Sequence, residues 1–320
     1  SGASLADLRK ACCYAVADYL CKQAGDWTEL TDNPYYEVFE TEDSVLAPGV
    51  TQQINKATTA DGKQIVYYLA TADVNSPYVN VYANYNENDP SKGWKMSRVE
   101  DQMRAAQARH TDPSKEDLYI PNYQVIAGTN GAGFDMSTGE PSGLLVMEGV
   151  QYQAPNANGF FGIKKDGTAV IGSTADYYRM KDDIQEGIAA FGSTLVKDGK
   201  ISVSASGDYY NNRASRTAIG ITKTGKVVMM VLDGRQEPWS CGGSMQEIAQ
   251  IMLEAGCWTA VNLDGGGSTT YVARPEGADD IEVVNRPSDG VARSVSTSLM
   301  IVSTAPSSTE FDRAVVDAAN

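Results

Sequence analysis

The chain has 320 residues, 42% of them hydrophobic, and carries 41 acidic against 26 basic side chains for a net charge of −15. That length holds one large domain or two small ones, and the apolar content is that of a globular protein. The acid excess argues against nucleic acid or an anionic lipid surface as a partner, and no apolar run approaches the roughly 18 residues needed to cross a bilayer.

From the N-terminus, residues 4–24 read as an amphipathic helix. Ser4 caps it, Leu5, Leu8, Cys12, Val16 and Tyr19 share one stripe, and Gly25 closes it. Residues 26–62 read mostly as loop, with Pro34, Pro48 and Gly49. Strands are expected at 64–72 and 78–85, the second with Val79, Val81, Ala83 and Tyr85 on one face. Ser97-Arg98-Val99-Glu100 has the form of a capping box opening a helix to about 109. His110, the sole histidine, falls at that helix end and is read as a partner for the helix dipole. With one histidine, Ser-His triads and histidine zinc sites are nearly excluded. Val125-Ile126-Ala127 is a short buried strand leading to Asn130-Gly131.

The middle reads as hairpins turning at Lys165-Asp166-Gly167, Lys197-Asp198-Gly199 and Lys223-Thr224-Gly225. Val227 to Leu232 is a nearly continuous apolar strand ending at Asp233-Gly234-Arg235. Ser244-Met245-Gln246-Glu247 is a second capping box, followed by an apolar stripe of Ile248, Ile251, Met252 and Ala255 and a terminating Gly256. A strand then carries Asn262 and Asp264, and residues 294–302 form the last one before a linker at Pro306 and a short C-terminal helix. Many hairpins with a few long helices indicate an α+β fold. The divisions expected are a helical segment at 1–40, one catalytic domain at 41–303, and a linker with a short helix at 304–320. Cys12, Cys13, Cys21, Cys241 and Cys257 make no disulfide framework; Cys241 and Cys257 flank a helix and are read as either paired or free. The opening Ser1-Gly2 reads as a scar, with a signal peptide removed before it, so the expected location is extracellular or the cell envelope.

Chemistry is expected first where an apolar strand ends in Asp264, three glycines, then Ser268, Thr269 and Thr270. Glycines there let backbone N–H groups face a ligand, and such a concavity binds anions, phosphate above all. Other polar clusters also sit at strand ends: Asn130 with Asp135, then Asp233-Gly234-Arg235-Gln236-Glu237, then Asn285-Arg286-Pro287-Ser288-Asp289-Gly290 with Arg293 behind it, and Arg216 before a strand.

Taken in order, the run from Arg216 to Ile221, the Asp233-Gly234-Arg235-Gln236 turn, the Glu247 helix, Asn262-Leu263-Asp264-Gly265-Gly266-Gly267-Ser268-Thr269, and the run from Asn285 to Gly290 closely resemble the phosphodiester glycosidase family over roughly residues 45–303. The animal member of that family removes N-acetylglucosamine from a phosphodiester on mannose 6-phosphate, and bacterial members are associated with exopolysaccharide or the cell envelope. The resemblance implies mixed, largely antiparallel sheets with flanking helices around one cleft. One departure stands out. Where members carry Asn-Gly-Gly-Phe-Phe or Asn-Gly-Asp-Phe-Phe, this chain has Asn130-Gly131-Ala132-Gly133-Phe134-Asp135, so one aromatic of a sugar-stacking wall is missing. The nearby Asn158-Gly159-Phe160-Phe161 mimics the motif but opens a hairpin.

In a sugar-1-phosphodiester the leaving group at C1 is a weakly basic phosphate monoester, so the demands are charge neutralisation and support for an oxocarbenium-like sugar. The expected assignment gives the phosphate to the amides of Gly265, Gly266 and Gly267 with Arg216, Arg235 and Arg286. Asp264 faces C1 as nucleophile or base, with Asp233 or Glu237 as second carboxylate. Asn130 and Asn262 bind sugar hydroxyls or the acetamido group, and Ser268, Thr269, Asn285 and Asp289 complete the binding set. No cofactor is required by this reading. Two alternatives stay open: a phosphodiesterase cleaving P–O with magnesium or calcium on Asp264, Asp233 and Asp289, and a non-catalytic polysaccharide-binding module.

Overall fold

The computed structural model describes residues 33–306 apart from 87, 88 and 276, so the expected helices at 4–24 and after Pro306 lie outside the described residues. Three sheets carry the chain. The largest has eight strands in the order β1 (Tyr36–Ala47), β2 (Val50–Thr59), β3 (Gln64–Ala72), β14 (Val227–Leu232), β13 (Arg216–Thr222), β15 (Cys257–Asn262), β11 (Thr194–Lys197) and β12 (Lys200–Ile201). A second runs β7 (Val150–Gln153), β6 (Leu145–Met147), β10 (Ile184–Ala189), β8 (Phe160–Lys164), β9 (Ala169–Gly172). The third runs β17 (Glu282–Val283), β16 (Tyr271–Ala273), β5 (Gln124–Asn130), β18 (Thr297–Ser303), β4 (Val79–Tyr85). Every pairing among these strands is antiparallel, so the sheets are not mixed. Four α-helices accompany them among the described residues: α1 (Val99–Thr111), α2 (Thr174–Met180), α3 (Asp208–Asn211) and α4 (Met245–Glu254).

The apolar run of β14 is continuous because that strand is buried on both faces. Val227, Met229 and Val231 point into one core with Val66, Tyr68 and Ala70 of β3; Val228, Met230 and Leu232 point into the other with Ile65, Tyr67 and Leu69. This is the period-two alternation of a strand with a core on each side. The second core is closed by α4, whose Ile248, Ile251 and Met252 form the expected stripe. Its capping box is complete: Glu247 N donates to Ser244 Oγ, and Ser244 N donates to the Glu247 carboxylate. A third core lies where Val99, Met103 and Ala106 of α1 meet Val125, Met300 and Val302.

Three local expectations change. Residues 36–59 are not loop but a long hairpin, joined through Pro48-Gly49 with Gly49 at φ 81. As the edge strand, β1 is exposed along most of its length and so carries no apolar alternation to betray it. The Ser97 box does not form either. Arg98 is the N-cap and makes no side-chain cap, because Ser97 is engaged as a β-bridge with Val295. Finally, His110 is held below its ordinary pKa by burial, with Nδ1 2.8 Å from Leu118 O, so the neutral ring is a packing element rather than a charge at the helix end. Cys241 and Cys257 are both free and buried. The three expected hairpins are present at their Gly turns, and Phe160 and Phe161 are core residues of β8.

Candidate active site

Asp264 follows the end of β15 and is pinned from the neighbouring sheet. Its N–H donates to Gly131 O at 3.1 Å, and Asn130 Nδ2 donates to its carbonyl at 2.8 Å. Asn130 is in turn fixed through Oδ1, which accepts from Thr217 Oγ1 at 2.8 Å and Thr270 N at 3.2 Å. The ends of β5, β13 and β15 are therefore tied together behind one carboxylate. Burial pushes that carboxyl above its ordinary value near 3.8, against hydrogen bonds from Ser268 and Gly265 N and the charge of Arg293.

In front of Asp264 opens a cleft of about 260 Å³, walled by Gly265, Gly266, Arg216, Arg235 and the segment 208–214. Arg216 is buried, and its guanidinium donates only to backbone carbonyls: Nε to Gly243 at 3.0 Å, Nη2 to Tyr209 at 2.8 Å and Asn212 at 2.9 Å. Arg235 sits at φ 60 with its guanidinium over Gly266, where an added Cβ would lie 3.4 Å from Nη1. Neither arginine enters any ion pair found among the described residues. Arg213, on the same wall, is neutralised by Glu247 at 2.6 Å and Asp61 at 2.7 Å. Arg216 and Arg235 thus stand uncompensated by a carboxylate in a chain of net charge −15, an arrangement whose charge suits an anion.

Two of the three glycines serve differently from the expected amide cradle. Gly265 N donates to Asp264 Oδ1 at 2.9 Å and Gly266 N to Ser215 O at 2.8 Å, so neither faces a ligand. Glycine is required here by close approach. A Cβ on Gly265 would stand 2.9 Å from Ser215 O, and one on Gly267 2.0 Å from Arg293 Nη2. Ser268 and Thr269 are buried in the same turn, Ser268 hydrogen-bonded to Asp264.

Several other expected site residues support the cleft without lining it. Asp233 is 0% exposed, and its carboxylate accepts from Trp239 Nε1 at 2.9 Å, Asn285 Nδ2 at 3.0 Å, Arg286 N at 3.1 Å and Tyr68 OH at 3.2 Å. Saturated by these donors and sealed from solvent, it organises the turn. Glu237 points outward to Lys63 at 2.8 Å. Asn262 spends its amide N–H groups on Phe191 O, Leu263 O and Tyr209 OH, Asn285 Nδ2 donates to Asp233 Oδ1 at 3.0 Å and Thr269 O at 3.3 Å, and Asn130 Nδ2 donates to Asp264 O at 2.8 Å, so all three amides are engaged within the protein. Arg286 stacks on Trp239 with its guanidinium 3.6 Å from the ring centroid, outside the cleft wall. Asp289 pairs with Arg293 at 2.7 Å, and Asp135 caps its own turn through Ser137 N at 2.7 Å. Asp264, Asp233 and Asp289 thus do not converge, and no group of three or more His, Cys, Asp or Glu able to hold a metal ion occurs among the described residues.

Sequence reasoning missed Asp208, Tyr209 and Asn212, which form one side of the cleft. The signal was the dense polar-aromatic run Asp208-Tyr209-Tyr210-Asn211-Asn212-Arg213 just upstream of Arg216, which has no apolar period to assign it to a core. The turn after β14 carries a sharper constraint. A Cβ on Gly234 would meet Ser215 N at 2.5 Å, Ala214 C at 2.6 Å and Gly242 Cα at 2.8 Å, backbone on every side. Gly234→Ala is therefore expected to destabilise the protein by about 1–3 kcal/mol, seen as a lowered Tm in calorimetry.

The family model for phosphodiester glycosidases matches residues 123–302, more than half of the chain. The chain belongs to the phosphodiester glycosidase family. Among curated relatives, N-acetylglucosamine-1-phosphodiester alpha-N-acetylglucosaminidase of Mus musculus is 30% identical over 179 residues, covering 49% of this chain and 33% of the relative. An uncharacterized SPbeta prophage-derived protein of Bacillus subtilis, YomE, is 31% identical over 190 residues, covering 55% and 28%. This phosphodiester glycosidase chain thus spans about a third of the length of the curated relatives it matches. In fold it is similar to the catalytic domain of the zebrafish N-acetylglucosamine-1-phosphodiester alpha-N-acetylglucosaminidase, auto-inhibited by its pro-peptide, with a TM-score of 0.62 at 22% identity over 83% of this chain and 88% of that one.

Proposed function

We propose that this chain hydrolyses the glycosidic C1–O bond of a sugar-1-phosphodiester of the N-acetylglucosamine type, carried on a phosphorylated glycan or cell-envelope polysaccharide. One observation carries the reading: a single cleft gathers the partly desolvated carboxylate of Asp264 with two arginines that no carboxylate neutralises. The phosphodiester anion would lie between Arg216, whose Nη1 is left for an oxygen once Nε and Nη2 are bound to backbone carbonyls, and Arg235, whose planar guanidinium matches two phosphate oxygens. Asp264 would then address C1 as nucleophile or as base for water. Asp208, exposed on the opposite segment of the cleft wall, would supply the second carboxylate sought at Asp233 or Glu237. Because the leaving phosphate is weakly basic, the reading needs neither a strong general acid nor a metal. No helix among the described residues is long and apolar enough to cross a membrane.

The test is incubation with GlcNAc-α-phosphomethyl and related diesters, with and without chelator. Free sugar and methyl phosphate, unaffected by chelator, are expected; sugar phosphate lost on chelation would make it a phosphodiesterase, and binding without turnover a polysaccharide module. Arg235→Ala is expected to raise KM for the diester about tenfold or more and to flatten its dependence on ionic strength, read from steady-state kinetics in a salt series.

A further inference from the structure

We propose that Tyr209, braced by Phe191, is the wall against which the sugar ring of the substrate rests, and so determines sugar recognition; this rests on the sugar-phosphodiester reading. Tyr209 lines the cleft with Asp264 and the two unpaired arginines, and it remains 39% exposed despite being an aromatic in a concave site. It is held from several sides. Asn262 Nδ2 donates to its hydroxyl at 3.0 Å, Arg216 Nη2 to its carbonyl at 2.8 Å, and the Arg216 guanidinium stands 5.1 Å from its ring centroid. Phe191 meets it edge to face at 5.9 Å, and Tyr210 at 5.2 Å.

Phe191 also accounts for the departure at residue 133. A Cβ on Gly133 would lie 2.5 Å from the Phe191 ring, so that ring fills the space a side chain there would need. Phe191 is locked to the catalytic strand, its N–H donating to Asn262 O at 2.8 Å and its carbonyl accepting from Asn262 Nδ2 at 2.7 Å. The missing aromatic of the Asn130 run is thus replaced from another part of the chain. A ring held in place yet 39% exposed, in the same cleft as the two arginines, suits the apolar C–H face of a pyranose, whose phosphate then reaches the arginines.

Calorimetric binding of GlcNAc-α-phosphomethyl and of dimethyl phosphate, which has no sugar, separates the parts when every variant is made in the Asp264→Asn protein, where turnover of the diester is slowed. Tyr209→Ala is expected to weaken the sugar diester about tenfold while changing dimethyl phosphate by less than about threefold, the ring's contact with Arg216 being lost in both cases, and Tyr209→Phe, which keeps the ring, to restore binding to within about threefold of the Tyr209 protein. Arg235→Ala is expected to weaken both ligands. Unchanged sugar-diester affinity in Tyr209→Ala, or a loss in Tyr209→Phe as large as in Tyr209→Ala, overturns the wall while the anion site stands. Unchanged affinity in Arg235→Ala overturns the anion site itself, independently of Tyr209.

Discussion

Asp264→Asn is expected to lower kcat for a sugar-1-phosphodiester by at least about a hundredfold, with thermal stability at neutral pH close to wild type or higher. The substitution keeps the shape of the side chain and an oxygen able to accept from Gly265 N, so the turn survives while the nucleophile or base is lost. On the proposed reading the ionised form does the chemistry, and burial raises this carboxyl above its ordinary value. The wild-type rate should therefore fall as pH drops through a midpoint above the usual carboxylate range, and the residual rate of the variant should lack that limb. The linkage to stability has the opposite sense. A folded-state pKa raised above the unfolded value favours the fold when protonated, a contribution complete below about 3.8 and lost as pH rises through the folded value. Ionised Asp264 is thus held at some expense to stability at neutral pH. A pH–rate profile with parallel calorimetry measures both; a rate within threefold of wild type would remove Asp264 from the chemistry.

Asp233→Ala is expected to destabilise the protein by about 3–5 kcal/mol, because four donors aimed at one sealed carboxylate lose their acceptor together. Among them is Arg286 N, and Asn285 carries the strain on to Thr269 O and so to the turn behind Asp264. Denaturant unfolding checks the size of the effect. The folded fraction, assayed at low temperature, should still turn over substrate with a KM near that of wild type. A stable variant with kcat reduced a hundredfold would instead put Asp233 back among the reacting groups.

These two aspartates show how far the sequence could be read. Both end apolar strands beside glycine, and nothing in their local patterns separates a carboxylate facing a cleft from one buried under a tryptophan. The distinction comes from Trp239, Asn285 and Tyr68, which are distant or unremarkable in sequence and converge only through the sheets. Strands buried on two faces, such as β14, and the fully capped α4 were legible because burial and capping write themselves locally. The edge hairpin β1–β2 was not, since a strand exposed along most of its length has no period to display. The triple glycine permits close packing against Ser215 and Arg293, and the amides of Gly265 and Gly266 are spent inside the protein. Tyr209 and Asp208 were missed because the short α3 has too few residues for any periodic signal.

The central claim is tested most directly by hydrolysing a GlcNAc-1-phosphodiester in water enriched in heavy oxygen and locating the label by mass spectrometry. Attack at C1 under Asp264 predicts the label in the C1 hydroxyl of the released sugar, with none in the phosphate monoester. Label in the phosphate would mean cleavage at P–O and would contradict the account.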